Sequence, residues 1–222
     1  MKKLFILLLL SISGTSLLAQ QSPFYDFRLG LTAHPTFGWI KPENGKGEGL
    51  SLGFSYGLIG DFDFAENYSF STGLTITTIN GKSTEINPAP YHPAGNSNLL
   101  AYSLKYKLQY IELPLTVKLK TGKPGDQRYY GQFGLSNDFN ISAKQDVSQN
   151  GQTVANSSND TKGTINFYRA GLILGAGTEF YVDSHTSLTF GLTYNNGFTD
   201  ISKDKNRSVK NHYVGLNFGV FF

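Results

Sequence analysis

Cysteine is absent from all 222 residues. That excludes a disulfide framework, a thiol nucleophile, thiolate metal sites and a lipid-anchored amino terminus, which needs a cysteine. Long apolar runs are missing as well. The longest, Leu4 to Ile12, falls well short of the roughly 20 residues of a spanning helix. Charge of one sign is also scarce: 19 Lys and Arg stand against 16 Asp and Glu, and no basic stripe marks a nucleic-acid surface. No metal-ligand spacing or phosphate-binding glycine loop occurs, so no metal, cofactor or nucleic-acid partner is expected.

The amino terminus has a three-part pattern. Met1-Lys2-Lys3 is positive, Leu4 to Ile12 is apolar, and Ser13 to Ala19 is a run of mostly small residues. This predicts an export signal peptide over residues 1–19, cleaved near Ala19. Its loss would remove two of the lysines and leave the remainder nearly neutral. No linker or composition break divides residues 20–222, so a single domain is expected there.

That domain is rich in glycine (25), phenylalanine (17) and tyrosine (13), and these residues alternate. A period of two recurs in eight segments: Phe24 to Ile40, Gly49 to Phe64, Tyr68 to Ile79, Leu100 to Lys120, Tyr129 to Ala143, Ile165 to Val182, Thr186 to Asn195 and Val209 to Phe222. Most exceed the 9–11 residues of a tilted membrane-spanning strand. In the first, Tyr25, Phe27, Leu29, Leu31, Phe37 and Trp39 share one face, and Asp26, Arg28, Gly30, Thr32 and His34 the other. In the last, His212, Val214, Leu216, Phe218, Val220 and Phe222 oppose Tyr213, Gly215, Asn217 and Gly219. One face in lipid and one in a lumen produces this pattern.

The fourth segment changes phase. Tyr102, Leu104, Tyr106, Leu108 and Tyr110 occupy even positions, then Ile111, Leu113, Leu115, Val117 and Leu119 odd ones. A β-bulge near Tyr110 and Ile111 would account for it, because one extra residue flips every later side chain. Pro114 then falls among lumen positions, and its missing N–H is more easily accommodated beside that bulge. Short connections follow the second, fourth and sixth segments and mostly longer polar ones follow the others, the asymmetry of outer-membrane barrels with short periplasmic turns.

A soluble sandwich or lipocalin-like barrel alternates too, with its apolar face inward. Segment length, aromatics near the segment ends and glycine on the polar face favour lipid outside. The fold expected is therefore all-β: an eight-stranded antiparallel up-and-down transmembrane barrel in the outer membrane of a Gram-negative bacterium. Outer-membrane lipid is one expected partner. The closing strand, with Phe218, Val220 and Phe222 outward, carries the signal read by barrel-assembly machinery.

Tyr110-Ile111-Glu112-Leu113-Pro114-Leu115, followed by Thr116-Val117-Lys118, resembles the hallmark of the PorT-like outer-membrane barrels of the Bacteroidetes. The leader ending Leu18-Ala19-Gln20 and the closing Gly219-Val220-Phe221-Phe222 are similar to members of that group. The resemblance implies a barrel over the whole mature chain, in a family often called porin-like. Its namesake is implicated in protein secretion by the type IX system.

Candidate site residues follow from the inward face. Arg28 is expected near Asp61 and Asp63 at the periplasmic end, and Lys105 and Lys107 near Asp138 at the outer end, with Arg169 and Glu179 also inward. Buried charges persist where they are paired, so structural pairs are favoured over an ion path. Glu112, beside the expected bulge, is given a structural role. Tyr91 and His92, in the proline-stiffened segment Asn87 to Pro93, could meet an unidentified protein partner. A lipid-modifying enzyme would need a serine or histidine set, yet His34, His92, His185 and His212 are scattered, and only His212 points to lipid near the outer end. The expected function is non-enzymatic, as a structural or interaction component. A narrow porin-like channel is the alternative and a lipid-modifying barrel enzyme a more distant one.

Overall fold

The computed structural model describes residues 26–88, 91, 98–123, 125–155, 163–204 and 207–222. The expected signal peptide, Phe24, Tyr25 and His92 lie outside the described residues. Among the described residues ten strands form: β1 (Asp26–Pro42), β2 (Gly45–Gly47), β3 (Ser51–Ala65), β4 (Tyr68–Ile86), β5 (Ala101–Lys120), β6 (Gln127–Gln149), β7 (Gln152–Ala155), β8 (Tyr168–Tyr181), β9 (Ser187–Gly197) and β10 (Val209–Phe221). The eight long ones pair antiparallel with their sequence neighbours, and β1 pairs β10 to close the ring. Closure removes both sheet edges, which lipid demands because it offers no hydrogen bonds to an open edge. The short strands β2 and β7 extend the sheet from β4 and β6 at the long-loop end.

Outward apolar side chains form a band between two aromatic belts. At the short-turn end Phe27 packs on Phe62 and Phe190 on Phe218; at the other, Trp39 stacks on Tyr194 and Phe139 packs on Phe167. From Phe27 to Trp39 the chain advances roughly 40 Å, or about 30 Å along the barrel axis at a tilt of about 40°. That is the thickness of a bilayer's hydrocarbon.

Strand β5 departs from the sequence expectation. Its even positions face inward without interruption from Tyr102 to Lys120, so there is no phase change and no bulge between Tyr110 and Ile111. The bulge lies at the same height on the partner strand: Gln109 pairs with Ser142 and Tyr110 with Asn140, leaving Ile141 as the extra residue of β6. On β6 the inward phase moves from even at Asn140 to odd at Ala143. What changes along β5 is the chemistry of its two faces. Below Tyr110 the outside is apolar and the inside polar; above it the inside is apolar and the outside carries Lys105 and Lys107.

The same inversion occurs on β1, where Trp39 is outward and Ile40 inward, and on β4, where Ile76 is outward and Ile79 inward. Beyond this level water replaces lipid outside, so the stable arrangement becomes that of a soluble barrel. Strands β4 and β6 therefore run on to Ile86 and Gln149, past the ends that a lipid-facing pattern predicts.

Candidate functional site: a lumen closed at two levels

The lower lumen holds a charge cluster. Arg28 donates to Asp61 at 2.9 Å and to Glu179 at 3.3 Å, Lys118 to Asp61 at 2.7 Å and Glu179 at 3.3 Å, and Lys120 to Asp63 at 2.9 Å. Three cations thus balance three carboxylates, supplied by β1, β3, β5 and β8. Ser71 donates to Asp61 and Ser69 to Asp63. Phe221 lies against the cluster, its ring 4.9 Å from the Arg28 guanidinium and 5.1 Å from the Lys118 ammonium. Buried charge on this scale is tolerated only with such complete pairing.

Above the cluster is a cavity of about 110 Å³ of mixed lining, with His34, Thr75, Gln132 and Asn217 beside Ile59 and Ile173. Glycine makes room for the rings at its edge: a Cβ on Gly177 or Gly191 would lie 2.6 Å from the Tyr130 hydroxyl. At roughly 10–15 Å³ per water centre, the cavity has room for several waters.

A second ionic layer roofs it. Arg169, fully buried, donates to Asp138, to the Asn195 side chain at 2.8 Å and to the Asn211 carbonyl at 3.0 Å. Glu112 stands directly opposite Asp138 across β5 and β6 and accepts from Tyr213 on β10. Higher still, Ile40, Ile79, Tyr102, Leu104, Tyr106, Leu108, Tyr110, Val147, Val209 and Tyr213 fill the lumen with an apolar plug, joined by Ile165 and Ile201 from the loops. Arg207 caps the plug by donating to Glu85 at 2.5 Å and to the Tyr106 hydroxyl. Its guanidinium is held above its ordinary pKa, burial being outweighed by Tyr106 and Glu85.

The sequence-derived pairs distribute as follows. Arg28 meets Asp61, while Asp63 meets Lys120 instead. Lys105 and Lys107 do not approach Asp138: both point outward, Lys107 pairs with Asp146 at 3.1 Å, and the partner of Asp138 is Arg169. The error follows from the misplaced bulge, since phase assigns the face. Glu179 joins the lower cluster. Lys118 and Lys120 were missed, although period two counted from Glu112 places both inward. Tyr91 turns onto the barrel, its hydroxyl donating to Gln145 at 2.9 Å. His212 does point outward, but it is covered by Trp39 at 5.5 Å between ring centres, and neither ring nitrogen has a hydrogen-bond partner among the described residues.

A closed ring of eight strands with an apolar exterior band, two aromatic belts and a charged interior defines a transmembrane barrel of the outer-membrane class. The chain belongs to the outer membrane protein beta-barrel domain family, whose model matches residues 18–203. It is an outer-membrane protein of the Gram-negative type. No curated protein matches it. Among solved structures it is similar to Neisserial surface protein A (13% identity, 87% of this chain and 95% of that one, TM-score 0.45). It is also similar to OprG of Pseudomonas aeruginosa (12%, 90% and 97%, 0.47) and to Ail, the attachment invasion locus protein of Yersinia pestis (15%, 89% and 99%, 0.37).

Proposed function

We propose that this barrel is a non-enzymatic structural and interaction component of the outer membrane, of the PorT-like kind, with a role in protein secretion. The observation that carries this reading is the doubly closed lumen: an ionic cluster below and an apolar plug above leave little for a solute to follow. Function then falls to the surfaces, namely the long-loop end, the short turns and the outward row Phe218, Val220 and Phe222 that we assign to recognition by assembly machinery. The motif from Tyr110 to Lys118 supports the PorT-like assignment, and its residues sit at the roof and floor of the cavity.

Affinity purification of the tagged protein from native outer membranes in mild detergent, read by mass spectrometry, tests the proposal. Recovery of secretion components is the expected result. A lone barrel that conducts ions in planar bilayers would overturn it in favour of the narrow channel.

A further inference from the structure

Three pairs of lysines stand directly opposite one another across neighbouring strands, all on the outer face: Lys41 with Lys210, Lys82 with Lys105, and Lys107 with Lys144. Like charges in this arrangement destabilise a sheet, and here the arrangement occurs in three different strand pairs. Asp146, opposite Lys105 and bonded to Lys107, is the acidic group facing them from β6. Among the described residues Lys41, Lys82, Lys105, Lys144 and Lys210 form no ion pair. Glu43 and Glu48 flank the belt, and the Glu48 carboxylate accepts from the Thr84 hydroxyl.

The pairs share one level. A Cβ on Gly81 would strike Ile40, so β1 at Lys41 and β4 at Lys82 are side by side, and register places the lysines of β5, β6 and β10 within a few ångströms of that height, each strand-to-strand step shifting it by only about 3 Å at this tilt. The lysines lie one to three outward positions above the last apolar ones, which are Trp39, Ile76, Ile111 and Val214. Each such step is about 5 Å along the axis. The polar zone of a bilayer extends roughly 5–8 Å beyond its hydrocarbon on each side, and a lysine reaches further by snorkelling. At the opposite rim no such belt forms among the described residues: Asp26, Glu66, Asp126 and Asp183 mix with Lys123 and Arg128.

We infer that this belt is a binding site for the phosphate groups of outer-leaflet glycolipid. Phosphates seated between opposed ammonium groups convert the repulsive pairs Lys41–Lys210 and Lys82–Lys105 into bridged ones, engage Lys144 beside the Lys107–Asp146 ion pair, and hold the barrel at a set depth. A lipid is favoured over a soluble anion because the belt begins at the top of the apolar band and is continuous with it, so that acyl chains and phosphates of one molecule would be engaged together.

Trp39 is the single tryptophan and lies two residues from Lys41 on the same face, so its emission reports occupancy. Protein refolded in dodecyl maltoside would be titrated with a bisphosphorylated glucosamine-disaccharide lipid, with the same lipid stripped of phosphate, and with inositol hexakisphosphate. A saturable Trp39 response to the phosphorylated lipid is expected, at least tenfold weaker for the stripped lipid and for the variant K41Q/K82Q/K105Q/K144Q/K210Q. The corresponding five-arginine variant should bind within about threefold of the parent. Heat-modifiable gel migration checks that each variant is folded, and the pair K41Q/K210Q serves if the fivefold variant is not. Equal binding of the glutamine variant or of the stripped lipid would overturn the inference. Binding of inositol hexakisphosphate as tight as that of the lipid would overturn the lipid as occupant.

Discussion

The Tyr213 hydroxyl on β10 reaches across the lumen to both carboxylate oxygens of Glu112 on β5, at 2.8 and 2.9 Å. This bond ties the strand that closes the ring to the strand opposite. Glu112 is also the carboxylate that faces Asp138 across the β5–β6 ladder, so the two substitutions that break the bond are not equivalent. Tyr213→Phe removes a donor from a buried carboxylate and should cost about 1–3 kcal/mol. Glu112→Gln removes a like charge next to Asp138 and keeps an acceptor, so it should cost less. Urea titration of the two variants in micelles distinguishes them, and a larger loss for the glutamine would contradict this geometry.

Arg169 and Asp138 should behave as a unit. Arg169→Met leaves Asp138 buried without its cation and is expected to cost about 3–5 kcal/mol. Adding Asp138→Asn should restore part of that loss, and a double-mutant cycle measures the coupling. Additive effects would mean that the pair does not interact.

The polarity inversion can be read by labelling, because the chain lacks cysteine. Lys107→Cys should react with a membrane-impermeant maleimide on intact cells, and Leu108→Cys should react only after denaturation. Leu108→Ala should cost about 2–5 kcal/mol, as in a soluble core. Labelling of position 108 in the folded protein would place β5 in the opposite phase.

The lower cluster predicts a charge-balance effect. Asp61→Asn deprives Arg28 and Lys118 of one of the two carboxylates they share, Glu179 being the other, leaving three cations against two carboxylates. Unfolding midpoints should fall sharply for it, and less for Lys118→Met/Asp61→Asn, in which balance is regained. A single substitution no worse than the double would argue against a paired network.

The turn after β8 carries the pH dependence. Asp183 accepts from the backbone N–H of His185 at 2.7 Å and of Thr186 at 2.8 Å, and these bonds hold its carboxyl below the ordinary range. A depressed carboxyl contributes stability that is present above its unfolded pKa and is lost as pH falls through the folded value. The parent should therefore exceed Asp183→Ala modestly in stability at neutral pH, with the difference shrinking once the carboxyl is protonated. Thermal scans across acidic pH would show it, and a gap that persists in strong acid would assign the effect to something other than charge.

Though not the short β2 and β7, the alternation of residues was sufficient to determine the eight long strands of the ring, their approximate boundaries, antiparallel neighbours and the lipid-facing set from Phe27 to Trp39, because side-chain direction in a strand has a period of two whatever surrounds it. It also placed Arg28, Asp61, Asp138, Arg169 and Glu179 inward. Period two says which residues share a face, but not which face is inside, and that choice depends on whether lipid or water lies outside at each height. Tyr102 to Tyr110 therefore read as a bulge when they are a plug, and Lys105 and Lys107 were assigned to the wrong side. Register decided the rest. Lys41, Lys82, Lys105, Lys107, Lys144 and Lys210 are scattered over a chain of nearly balanced charge, and they form a belt only because five strands bring them to one level.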